Sequence, residues 1–402
     1  MTATATETQR PEPLVDMGEL SAYAGDHRLR SAQLDGETVR VTWDDGRTAG
    51  YHPLWLRDHC PCPACRHPQT RERTFRLLDL PETLPRPEVE ASARGTLIVR
   101  WPAMAEHAAH ESEFDPGWLR QRAAADEDLD DSGRTQLWDA AIASNPPSVD
   151  FGEVTGSDAG LRRWLDQLSR YGLALIDNGP TEPGSIEAVV ARIGWPRETN
   201  FGRYFDVVSK PNPNNAAFTA IALEPHIDLP NWQRPPDFQF LYCLENEAEG
   251  GASTLVDGFA VAESLRSEDP EAFRILSEQP VDFRFQDEEA DIAYRAPVIG
   301  LDASGRPAQI RFNNWIRDTL RLPADQVGAF YRAYRQFWQR LRDPRFVFRF
   351  TLRPGQMMAF DNLRVLHGRE AFDPNTGQRH LQGTYIDRDL VRSRLRVLER
   401  GG

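Results

Sequence analysis

The feature that most limits what this chain can become is a series of short strand-like segments in its C-terminal half. Residues 238–244, 253–257, 281–285, 309–312, 346–352, 357–361 and 383–386 are each four to seven residues long, and loops containing Pro, Asn and Gly separate them. Runs that short read as strands rather than helices. The exception is a helix expected over residues 323–342, with Phe330, Tyr334, Phe337 and Leu341 on one face. Helices are also expected over 160–171, after the caps Ser157 and Asp158, and over 184–193, with a strand at 173–177 between them. Many short strands with a few covering helices bury their apolar sides by folding into two facing sheets. The expected fold is therefore mainly β, a jelly roll or cupin-type double sheet with covering helices.

The N-terminal third has a different texture. Val39, Val41 and Trp43 alternate with polar residues before Asp44-Asp45-Gly46, which predicts a hairpin over 33–51, and a further strand is expected over 96–101. Residues 117–143 are charged and helix-prone, and Asn145-Pro146-Pro147 stops them. These breaks divide the chain into a disordered tail (1–15), a small β-rich N-terminal domain (16–115), a helical linker (116–150) and a larger domain (151–402).

Three of the four cysteines, Cys60, Cys62 and Cys65, fall within six residues. Thiolates this close suit tetrahedral zinc better than a disulfide framework, and a fourth ligand is needed from elsewhere. His59, His67, His107 and His110 are the candidates. Cys243 stands in an apolar run and is expected to be a buried small hydrophobe.

A second constellation lies in the larger domain. His226 and Asp228 are two residues apart, so on a strand their side chains share a face. His367 comes after a predicted strand and can complete the set. Two imidazoles and a carboxylate hold one face of a ferrous ion and leave three positions open for a cosubstrate and O₂. Arg379 lies twelve positions beyond His367 (379 − 367 = 12), where its planar fork could grip a carboxylate of 2-oxoglutarate.

These motifs carry a resemblance. The segments Trp55-Leu56-Arg57-Asp58-His59-Cys60-Pro61-Cys62, Asn214-Asn215, His226-Ile227-Asp228-Leu229-Pro230, Gly250-Gly251 with Val256-Asp257-Gly258-Phe259, Phe312-Asn313-Asn314 with Arg317-Asp318-Thr319, and Phe360-Asp361-Asn362 with His367-Gly368-Arg369 resemble the γ-butyrobetaine and trimethyllysine hydroxylase branch of the TauD-like Fe(II)/2-oxoglutarate dioxygenases, from about residue 33 to 398. The resemblance implies a double-stranded β-helix core and a structural zinc site completed by His110, with His107 as the alternative. It implies 2-oxoglutarate contacts from Asn215, Leu223 and Arg379, and more weakly from Ser253. It implies a homodimer and a substrate bearing a trimethylammonium group, caged by Phe201, Phe205, Phe218 and Tyr385, with Asn314 near the substrate's carboxylate end. Several cage positions that are Tyr or Trp in animal relatives are Phe here, and Leu229 replaces a Tyr, which leaves the exact substrate open. γ-Butyrobetaine, giving L-carnitine, is the first expectation. Trimethyllysine and a trimethylammonio-phosphonate are rivals; a phosphonate would call for a further cation such as Arg203 or Arg295. A non-catalytic zinc-binding jelly roll is the reading from another class.

Composition limits partners rather than fold. The net charge of −14 would repel a phosphate backbone, so no nucleic-acid partner is expected. No run of about 18 apolar residues occurs, so no membrane span is expected. The polar first residues lack an apolar signal stretch, which makes the cytoplasm the expected location.

Overall fold

Alternation in the N-terminal third becomes a buried face. In the computed structural model, which describes residues 12–103, 108–123, 135–208 and 219–401, the contacts divide the chain into two units, Met1–Leu129 and Asp130–Gly402. In the first unit Thr38–Trp43 pairs with Thr48–Tyr51 around Asp44-Asp45-Gly46, as the turn chemistry predicts, and Leu29–Asp35 adds a third antiparallel strand. A second sheet joins Glu88–Ala91, Leu97–Trp101 and His110–Phe114. Val39, Val41 and Trp43 are fully buried with Leu97, Val99, Trp101, Phe114 and Trp118. The short helix Pro53–Asp58 starts at its Pro, capped by the His52 ring, and delivers the chain into the cysteine loop.

The second unit contains the expected double sheet. The larger sheet runs in the order Ser148–Asp150, Leu173–Asp177, Met357–Asp361, Phe238–Asn246, Arg379–Ile386, Tyr204–Val207, antiparallel except for its first pair. The smaller runs Leu223–His226, Val365–Arg369, Ser253–Asp257, Val347–Phe350, all antiparallel. Leu241, Cys243, Leu255, Phe348, Met358 and Leu381 share one core cluster. Cys243 is thus a core residue, and burial pushes its thiol up to about 12. Helices Asp158–Tyr171, capped by the Ser157 hydroxyl, and Ser185–Ile193 pack their apolar stripes on the outer face of the larger sheet. Helix Ala324–Leu341 buries Phe330, Tyr334, Phe337 and Leu341, the stripe the sequence predicts.

The described ends of 117–143 do not form the long helix expected from their composition. Helix Pro116–Gln121 is short, and Ala140–Ser144 is a 3₁₀ turn; 124–134 lie outside the described residues. The reason at the far end is tertiary. Trp138 is buried, its indole donates to the Tyr171 carbonyl (2.7 Å), and its amide donates to Asp257 (3.1 Å).

Asp257 also anchors the smaller sheet. It is fully buried, caps helix Gly258–Glu268, and takes two hydrogen bonds from Arg364 (3.0 and 2.7 Å), whose other donors reach the carbonyls of Arg170 and Gln136. Removing one partner of such a pair strands a buried charge. Arg364→Met is therefore expected to cost about 3–5 kcal/mol, read as a shifted urea midpoint at unchanged slope. A loss under about 1 kcal/mol would show that solvent reaches Asp257.

Candidate active site and metal centres

His226 is the last residue of Leu223–His226 and lies directly opposite His367, the central residue of Val365–Arg369. His367 thus lies within a strand, where the sequence reading put it just after one. The sequence also puts Asp228 on the strand of His226, but the strand ends first. Asp228 converges on the imidazoles because the chain bends there, and Leu229 takes φ of 53°. A non-glycine residue in that region costs roughly 1–3 kcal/mol and needs support from its surroundings. Asn362 supplies it: its side chain accepts from the Asp228 amide (2.7 Å) and donates to the carbonyls of Asp228 and Pro236 (both 3.0 Å). Asn362 belongs to a motif quoted above, but pattern alone gives no hint of this bracing role. Gly368 is needed for a similar reason of space, since a Cβ there would lie 2.5 Å from the Leu223 carbonyl oxygen.

One donor atom from each of His226, Asp228 and His367 lies within 4.8 Å of the others, close enough to share a metal ion. The His226 Nδ1 faces the Glu224 carbonyl at 2.8 Å, so it carries the proton and Nε2 offers its lone pair, 3.5 Å from Asp228 Oδ1. Nε2 of His367 is 3.7 Å from the same oxygen. Burial, and then the neighbouring His226, push His367 down to about 3, so it is a neutral imidazole. Burial opposes ionisation of Asp228, yet the two histidines and the Tyr385 hydroxyl (2.7 Å from Oδ2) outweigh it and hold the carboxyl well below its usual range. Two imidazoles and a carboxylate are the donor set a ferrous ion takes.

These groups open onto a cavity of about 310 Å³ between the sheets, lined mostly by apolar side chains. Leu223, Ser253 and Arg379 line it, as do Phe201, Phe205 and Tyr385. Arg379 is buried and has no carboxylate or carbonyl partner among the described residues; burial lowers its pKa. Nearby Arg369 is held by the carbonyls of Thr219 and Ile221. A buried guanidinium without a partner is costly unless an anion meets it, so the residues present fit a bound dicarboxylate. Phe201, Phe205 and Tyr385 form a row with ring centroids 5.9 and 5.2 Å apart. Gly383 makes room for it, since a Cβ would lie 2.4 Å from the Phe205 ring. Asn314 is not among the lining residues, whereas Asn313 is. His107, Asn214, Asn215 and Phe218 lie outside the described residues.

The sequence reading does not single out three further lining residues. Asn231 and Gln239 are buried amides whose side-chain oxygens have no partner among the described residues, and Trp315 packs edge-on against His226 at 5.2 Å. One polar residue in an apolar strand, such as Gln239, hints at an inward-facing function, but an isolated Asn or Trp in a loop gives no such signal.

In the first unit Sγ of Cys60, Cys62 and Cys65 lie 3.2, 3.8 and 3.7 Å from Nε2 of His110. Tetrahedral zinc with its usual bond lengths separates a sulfur from a nitrogen ligand by about 3.5 Å. The cluster is consistent with zinc, and four protein ligands leave no open position. The Cys60 thiol, then His110 and Arg57 (3.2 Å), hold Cys65 toward its thiolate form.

A double-sheet fold with two imidazoles and a carboxylate facing a cavity, and a buried arginine in its lining, defines a non-haem iron oxygenase. Comparison with known proteins makes this specific. Residues 131–385 match the family described as "Taurine catabolism dioxygenase TauD, TfdA family", and residues 30–120 match "Gamma-butyrobetaine hydroxylase-like, N-terminal". The chain is 43% identical over 376 residues to a γ-butyrobetaine dioxygenase of Pseudomonas sp. (strain AK-1), covering 92% of this chain and 96% of the relative. It is 32% identical to human γ-butyrobetaine dioxygenase (92% and 96% covered). It is also 32% identical to a trimethyllysine dioxygenase of Meyerozyma guilliermondii (94% and 97% covered). The chain belongs to the TauD/TfdA dioxygenase family and carries its γ-butyrobetaine hydroxylase-like N-terminal domain. It is a dioxygenase, and Fe(II) and 2-oxoglutarate are the metal and cosubstrate the family implies. No helix among the described residues is long and apolar enough to cross a membrane.

Proposed function

We propose that this chain hydroxylates a small trimethylammonium substrate, and that the substrate is γ-butyrobetaine and the product L-carnitine. The observation that carries the reading is the 43% identity, over 92% of the chain, to a γ-butyrobetaine dioxygenase. In this reading His226, Asp228 and His367 hold Fe(II), and Arg379, with Asn215 and Leu223, holds 2-oxoglutarate. Fe(II) and 2-oxoglutarate together supply oxygen activation and the transfer of one oxygen atom to a C–H bond, with succinate and CO₂ as coproducts.

The protein's part is placement. The Arg379 fork meets a carboxylate with two parallel N–H donors and so fixes the cosubstrate's orientation. A quaternary ammonium cannot donate hydrogen bonds, so it is recognised by ring faces, here those of Phe201, Phe205 and Tyr385, with Phe218 from the family pattern. Asn314 is assigned to the carboxylate end of the substrate. With the cation end fixed, distance selects the carbon that reacts. The apolar lining keeps bulk water from the reacting atoms. Cys60, Cys62, Cys65 and His110 hold a structural zinc in the domain assigned to 16–115, and 151–402 form the oxygenase domain. A cytoplasmic homodimer completes the reading.

The test is a substrate panel. Fe(II)-loaded protein is given 2-oxoglutarate, O₂ and either γ-butyrobetaine, trimethyllysine or a trimethylammonio-phosphonate. The expected result is one succinate per γ-butyrobetaine that gains one oxygen by mass, at a kcat/KM at least about tenfold above either competitor, a difference of about 1.4 kcal/mol in transition-state binding. Preferential oxidation of a competitor would replace the substrate assignment and keep the reaction type.

A further inference from the structure

The two oxygens of Asp228 have different partners. Oδ1 faces the Nε2 atoms of His226 and His367, at 3.5 and 3.7 Å. Oδ2 points away and accepts a 2.7 Å hydrogen bond from the Tyr385 hydroxyl. Tyr385 is 1% exposed and comes from Arg379–Ile386 in the larger sheet, whereas both imidazoles come from the smaller one. The Asp228 backbone is separately clamped by Asn362, so the remaining freedom of the carboxylate is rotation about its side-chain bonds. A short hydrogen bond to an ionised oxygen is among the stronger neutral-donor bonds available to restrain that rotation.

A carboxylate engaged at one oxygen binds a metal through the other. Free at both, it can close onto the ion with two oxygens and occupy a further position. A site that must accept a two-pronged cosubstrate and O₂ has no such position to spare. We propose that Tyr385 is a positioning residue: its hydroxyl keeps Asp228 a one-oxygen ligand, a role separate from the face its ring offers to substrate. The inference rests on reading His226, Asp228 and His367 as the metal ligands. The ring is fixed independently of the hydroxyl, because it packs on Phe205, which in turn lies against Gly383. Tyr385→Phe therefore removes the hydrogen bond and keeps the packing, while Phe205→Leu disturbs the packing and keeps the hydroxyl.

The experiment titrates Co(II) alone into full-length protein stripped of iron but left with zinc in its Cys60, Cys62, Cys65 and His110 site, anaerobically and without substrate, and follows the visible absorption, whose intensity reports coordination number. Tyr385→Phe is expected to bind Co(II) about 10–100-fold more weakly than the parent protein, the usual effect of losing an outer hydrogen bond to a ligand, and to give a changed band intensity. Phe205→Leu is expected to bind Co(II) as the parent does. In turnover, Tyr385→Phe should release several succinates per hydroxylated substrate, whereas Phe205→Leu should mainly raise the substrate KM. Unchanged Co(II) affinity and spectrum in Tyr385→Phe would overturn the proposal. Equal weakening in both variants would also overturn it, by showing that packing rather than the hydroxyl matters. The titration needs no substrate, so a failed γ-butyrobetaine assignment leaves it readable; a parent protein that takes up no Co(II) would remove the metal-site reading and this inference with it.

Discussion

Replacing His367 by Ala is expected to lower hydroxylation by at least about a thousandfold, equivalent to roughly 4 kcal/mol of lost transition-state stabilisation. The two proposed ligands left, His226 and Asp228, sit at the end of one strand and in the bend after it. They cannot define a face of the metal, because the third corner comes from the neighbouring strand, directly opposite His226. Fold loss is a lesser concern. His367 lies within a five-residue strand paired on both sides, with Leu223–His226 and with Ser253–Asp257. Truncation to Ala leaves that ladder intact and opens a gap beside Phe360. The measurement is product mass together with iron content in parent and variant. A variant that keeps its iron and more than about a tenth of its turnover would show that the metal sits elsewhere.

The second large effect concerns zinc. Chelation, or Cys65→Ser, is expected to destabilise the first unit by at least about 3 kcal/mol, hence to lower its unfolding midpoint by roughly 12–24 °C. Structural zinc can contribute considerably more than this in peptides that have no core of their own. Here a core exists, since Trp43, Trp101, Phe114 and Trp118 are almost fully buried. The loss should therefore be partial. Thiolates must be deprotonated to bind zinc, so the metal should also leave progressively as the pH falls. Elemental analysis and thermal unfolding with and without chelator read both points. Protein purified without zinc, with a midpoint unmoved by Cys65→Ser, would show that the four ligands are only neighbours.

Strand existence was legible in the sequence where an apolar run was short and bounded, as at Leu173–Asp177, because a strand buried on both faces is built from continuous apolar side chains. The strand carrying His367 was less legible. Arg364, His367, Gly368 and Arg369 make that stretch look like a polar loop, yet all of Val365–Arg369 is buried, and the Arg369 guanidinium reaches the carbonyls of Thr219 and Ile221, far away in sequence. Residues 135–143 went the other way. Local charge and propensity favour a helix there, but the burial of Trp138 against Tyr171 and Asp257 outweighs a preference worth only tenths of a kcal/mol per residue.

Residue identity alone determined the chemistry available to this chain: three thiolates in one tight loop, an imidazole and a carboxylate two residues apart, and one arginine at a set distance beyond a second histidine. Donor atoms belong to side chains, so their kinds and local spacings can be read without a fold. Tertiary structure alone decided the rest. It placed His110 rather than His59 or His67 beside the thiolates, turned Asp228 toward the imidazoles by a left-handed Leu229 braced by Asn362, left Arg379 buried with no carboxylate or carbonyl partner among the described residues, and set the Tyr385 hydroxyl against the outer oxygen of Asp228. Each of these depends on contacts between residues distant in the chain, and such contacts are fixed by how the two sheets pack rather than by any local pattern.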